Sequence, residues 1–158
     1  MSGHEPSYPP PLALTMGDPS GIGLDIALKA WHARHTHMLS PFCLYADASA
    51  LATRAEALDL ATPVIEIENP REATRCFDTA LPLRVIATAA PVVAGMPTSE
   101  NAPAIVTAIE TAVSDIAAGN ASALVTNPIA KSLLYTAGFA HPGHTDSMSR
   151  PASPPKET

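Results

Sequence analysis

The chain has 158 residues, 46% of them hydrophobic and 15% charged, with a formal net charge of −6. A chain of this length buries roughly two-thirds of its unfolded surface as one domain, and its composition is that of neither a disordered polyelectrolyte nor a membrane protein. The acidic balance argues against a nucleic-acid partner, because phosphate backbones are gripped by faces rich in Lys and Arg.

No apolar run reaches the roughly 18–20 residues that span a bilayer, and the start MSGHEPSYPPP has no basic stretch followed by an apolar one. The expected location is the cytoplasm. Two cysteines, Cys43 and Cys76, stand in unrelated contexts without CxxC spacing, so they read as reduced, with Cys43 in a core strand. Of 17 prolines, seven fall near the two ends, and residues 1–10 read as an unstructured tail.

In chain order, an apolar run over 12–16 opens directly into GDPSGIG and reads as a buried strand feeding a turn. Ser20 is the expected N-cap of a helix whose apolar stripe is Ile22, Ile26 and Ala30, fading near Trp31. PFCLYA at 41–46 is a second strand, and Asp47 with Ser49 can cap a helix over 50–58. Extended stretches follow at 63–67 and 83–87, where Val and Ile favour the pleated state. The mixed, charged segment 68–81 between them has no clear period.

The clearest helix runs over 101–118, with Ile105, Ile109, Val113 and Ile116 at helical spacing. Thr98 or Ser99 can cap its start, and Gly119-Asn120 supplies a left-handed stop. ASALVT at 121–126 reads as another buried strand, ending in Asn127-Pro128 before a helix that Gly138 closes. Strands alternating with helices imply an α/β fold, a mainly parallel sheet covered on both faces. Ligands bind such sheets at the carboxyl ends of strands, where both GDPSGIG and TNPIAK fall.

Three motifs invite a chemical reading. GDPSGIG could present backbone N–H groups to a phosphate at a helix N-terminus, or it could be a tight turn that lets helix and strand pack closely. It lacks the GK[ST] ending of a P-loop and is not GxGxxG, and Asp18 places negative charge where a phosphate would sit. Gly17, Asp18 and Gly21 are its candidate contacts. Lys131 could offer an ammonium to an anionic ligand or lie on a wet helix face. In HPGHTD, Gly143 permits close approach, His144 carries two ring nitrogens, Thr145 a hydroxyl and Asp146 a carboxylate, a density suited to a small polar ligand or to an ordinary polar turn. His32, His35 and His37 lie in a polar segment with no framework to fix metal geometry and read as solvated.

LTMGDPSGIGLDIALKA, ALVTNPIAKSLLYTAGF and HPGHTD, in that order and spacing, resemble 4-hydroxythreonine-4-phosphate dehydrogenases of vitamin B6 synthesis over about residues 11–146. The resemblance implies an isocitrate/isopropylmalate-dehydrogenase-like α/β fold and a homodimer with active sites at the interface. It further implies that NAD or NADP oxidises the C3 hydroxyl of 4-phosphohydroxy-L-threonine to a ketone. The resulting β-keto acid loses carbon dioxide to give 3-amino-2-oxopropyl phosphate, while a divalent metal, zinc, magnesium or cobalt, stabilises the developing negative charge. His144 and Thr145 match the family's substrate-contacting His-Thr pair, and Gly17, Asp18, Gly21 and Lys131 match family sequence as possible phosphate or substrate contacts.

The family's three metal-binding histidines lie beyond the His-Thr pair. Here no histidine follows Thr145, and His32, His35, His37 and His141 match none of those positions, so no metal ligand is assigned. From Ser147 the sequence SMSRPASPPKET departs from the family pattern and reads as an unstructured tail, as a frameshift or premature stop in a longer gene would leave it. The expectation is therefore an N-terminal α/β portion over 11–146 that is inactive alone. The alternatives are a non-catalytic binding or regulatory remnant pairing with a full-length homologue, a relative acting on another phosphorylated hydroxy acid, or an unrelated phosphate-binding domain.

Overall fold

Five strands form one all-parallel sheet in the computed structural model, which describes residues 8–136 and 138. In chain order the elements are β1 (Leu12–Thr15), α1 (Gly23–His32), β2 (Phe42–Ala46), α2 (Ala48–Ala57), β3 (Val64–Glu66), α3 (Ala73–Cys76), β4 (Leu81–Val85), α4 (Ala102–Ala117), β5 (Leu124–Thr126) and α5 (Lys131–Thr136). Short 3-10 turns at Pro70–Glu72 and Ser99–Asn101 lead into α3 and α4.

The spatial order β3-β4-β2-β1-β5 makes β1 and β2 central. Their registers run Leu12↔Phe42 to Thr15↔Tyr45, and every residue of β2 is buried, as a strand covered on both faces requires. The chain moves outward from β1 through β2 to β3, then returns through β4 to β5. Right-handed crossovers therefore put α1 and α2 on one face and α3 and α4 on the other. The packing agrees: α1 lies on α2, joined by a two-pronged Arg54–Asp25 ion pair at 2.7 Å, while α4 covers β1, β2 and β5.

Beneath α4, the buried Tyr45 hydroxyl donates to Asp115 Oδ2 at 2.8 Å, and Arg84 Nε lies 3.7 Å from the same oxygen. Cys43 is buried and unbridged on the same strand, as expected, and burial pushes its thiol up to about 12. Burial likewise raises the Tyr45 phenol, with the charge of Cys43 and the bond to Asp115 adding to it. This group ties β2 to α4. Trp31 closes the far end of α1, its Nε1 donating to the Phe77 carbonyl at 2.9 Å beneath the Arg34 guanidinium.

Several sequence expectations shift. The buried face of α1 is Leu24, Ala27, Leu28 and Trp31, whereas Ile22 and Ile26 are 60% and 41% exposed. Ser20 does not cap the helix: the cap position is Ile22, without a side-chain bond, and the Ser20 N–H is held by Asp18 Oδ1 at 2.9 Å in an Asx turn. Asp47 caps α2 as expected, through Ala50 N at 2.8 Å. Thr98 caps the 3-10 turn that leads into α4, through the N–H of Glu100. Segment 68–81 folds as a capped 3-10 turn, where Asn69 and Glu72 form a capping box, and then as α3. β5 is an edge strand, with Val125 43% exposed, and is not buried as its apolar composition suggested. No helix among the described residues is long and apolar enough to cross a membrane.

Candidate active site

The loops that follow β1 and β5 meet at the carboxyl ends of these neighbouring strands, where ligands bind parallel sheets. Asn127, buried at the end of β5, reaches the Thr15 carbonyl twice, through its backbone N–H at 3.3 Å and its amide Nδ2 at 3.0 Å. In return the Asp18 N–H donates to the Pro128 carbonyl at 3.1 Å.

Two glycines make this approach possible. Gly17 has φ +68, and a Cβ there would run into the Pro128 carbonyl and lie 2.9 Å from the Asn127 carbonyl group. At Gly23 a Cβ would collide with the Met16 carbonyl and lie 2.9 Å from Asn127 Cβ. Both are positions where backbone meets backbone, so neither neighbour can step aside.

Within the loop the N–H groups of Asp18, Ser20 and Gly21 already have acceptors: Pro128 O, Asp18 Oδ1 and Asp18 O. Pro19 has no N–H to offer. Of the two readings left open for GDPSGIG, this arrangement carries the tight turn, since those donors face the chain itself. Gly17, Asp18 and Gly21 thus build the turn that rims the candidate site. A neighbouring segment closes on it, the Gly95 N–H donating to the Ser20 carbonyl at 2.8 Å.

The same rim is stapled at two further points. Asp47 accepts from Ala50 through Oδ1 and from the Thr88 N–H and hydroxyl through Oδ2, joining the loops after β2 and β4. Asn101, buried at the head of α4, accepts from the Ala90 N–H at 2.9 Å and leaves its Nδ2 without a partner among the described residues. Sequence reasoning missed the inward roles of Asn101 and Asn127. The available signal was their type, because an Asn at a strand end before Pro, or at a helix head, can bond backbone groups across a gap.

Lys131 stands exposed at the first position of α5, which packs beside the Ser99–Asn101 turn. His32 Nε2 shares a 2.9 Å hydrogen bond with Thr62 Oγ1, while His35 and His37 are exposed, which bears out their reading as surface histidines. His141, His144, Thr145 and Asp146 lie outside the described residues, as does the segment 147–158.

The family model described as pyridoxal phosphate biosynthetic protein PdxA matches residues 37–156, more than half of the chain. The chain belongs to the PdxA family. Among curated PdxA relatives, a 4-hydroxythreonine-4-phosphate dehydrogenase of Methylorubrum extorquens is 50% identical over 141 residues, 88% of this chain and 40% of its own length. That of Xanthobacter autotrophicus is 42% identical over 147 residues, 93% of this chain and 42% of the relative. In fold, the crystal structure of a 4-hydroxythreonine-4-phosphate dehydrogenase from Burkholderia phymatum superposes with a TM-score of 0.76 at 23% identity, covering 90% of this chain and 43% of that one. The corresponding Klebsiella pneumoniae structure gives 0.71 at 26% identity, covering 87% and 42%. The chain thus spans about two-fifths of the length of these PdxA relatives.

PdxA membership settles the α/β architecture expected from the resemblance. A divalent metal implied by that resemblance does not fit the described residues: among them no group of three or more His, Cys, Asp or Glu stands close enough to hold an ion.

Proposed function

We propose that this chain supplies the substrate-loop side of a dehydrogenase site for 4-phosphohydroxy-L-threonine, oxidised with NAD or NADP as hydride acceptor in pyridoxal phosphate synthesis. The observation that carries the reading is the 50% identity to a 4-hydroxythreonine-4-phosphate dehydrogenase over most of the chain. The welded rim at β1 and β5 supports it, because it fixes where the segment leading to the candidate ligand residues leaves the sheet.

In this reading His144 and Thr145 hydrogen-bond the substrate and Lys131 offers its ammonium to an anionic end. Gly17, Asp18 and Gly21 shape the wall opposite, through their backbone turn. A bound nicotinamide would supply the hydride acceptor for the C3 carbon, and these groups would bind and orient the substrate. We further take residues 11–146 as the folded portion and the working form as a cytoplasmic homodimer.

Calorimetric titration of the 158-residue chain with 4-phosphohydroxy-L-threonine tests the assignment. Saturable binding is expected, and His144→Ala should weaken it by about 10-fold or more, the loss of one hydrogen bond to a charged group. Affinity left unchanged by that substitution, or no binding by the parent chain, would count against the reading. Absorbance of reduced NAD or NADP in the same mixture separates turnover from binding alone.

A further inference from the structure

We draw no further inference here: the strongest candidate, the N-terminus of α4 with the buried amide nitrogen of Asn101 beside it, unpaired among the described residues, is a helix end whose extra donor is sealed from solvent, and nothing in the structure shows a ligand that reaches it.

Discussion

Gly17 is constrained by residues at the opposite end of the described chain and Gly23 chiefly by the Met16 carbonyl, and a single methyl group tests each. Gly23→Ala would drive Cβ into the Met16 carbonyl, and Gly17→Ala would add the strain of φ +68 to a collision with the Pro128 carbonyl. Overpacking against an immovable neighbour costs about 1–3 kcal/mol or more, beyond the roughly 1 kcal/mol for a left-handed alanine. Gly119 also has a positive φ, +76, but among the described residues nothing lies within 4 Å of its would-be Cβ. Urea denaturation should therefore rank Gly119→Ala as mild and both loop substitutions as severe. A loss at Gly17 no larger than at Gly119, the two having similar positive φ, would mean that conformation alone, without close approach, explains Gly17.

Cys43 gives a second prediction at the same scale. Its folded-state pKa is raised from 9.0 to about 12 by burial. Below pH 9 the thiol is protonated in both states. Between pH 9 and 12 the unfolded chain releases a proton that the folded chain keeps, so stability falls by up to about 1.4 kcal/mol per pH unit. The Tyr45 phenol, also raised by burial, adds a fall of the same sign above pH 10. In reducing buffer the urea midpoint should drop from pH 9 to 10, and Cys43→Ala should flatten that drop. An equally steep drop in the variant would assign the alkaline loss to other groups.

At the scale of elements, α1 shows how a sequence misleads. Its sequence carries apolar residues nearly all round, so two stripes satisfy helical spacing. Ile22 and Ile26 share their side with Asp25 and Lys29, and the charges decide which side stays wet. Ile26→Ala should accordingly cost under about 1 kcal/mol, while Leu28→Ala in the buried stripe should cost about 2–5 kcal/mol. Thermal melts showing the reverse order would restore the Ile stripe. In α4 the isoleucine spacing located the helix but not its seat. Ala104, Ala108 and Ala112 face the sheet with Ile105, and Ile109, Val113 and Ile116 fill the flanks, because small side chains let the helix settle over β1. Pro82 concealed the start of β4. It is tolerated because pairing with β2 begins one residue later, at Leu44↔Leu83. Strand existence and the parallel class were legible from short apolar runs. Strand order was not, because pairing depends on contacts distant in sequence.

At the scale of the whole molecule, the first strand of the sheet is held by the last, and that union defines the candidate site. The sequence displayed its two loops as separate motifs and gave no sign that they touch, since the contact is made by backbone carbonyls and one buried amide. If the rim is one mechanical unit, damage on one side must be felt on the other. Asn127→Ala removes the Nδ2 donor to the Thr15 carbonyl and keeps the Cβ that lies beside Gly23. The expected loss is about 1–3 kcal/mol of global stability, the range for breaking a buried hydrogen bond. Its location is more telling than its size. The Asp18 N–H donates to the Pro128 carbonyl, so Asp18 should lose protection in amide hydrogen exchange although it lies in the loop after β1. Faster exchange confined to β5 and α5, with Asp18 as protected as before, would show two independent loops that merely adjoin. Gly17 would then not owe its identity to the strand across from it.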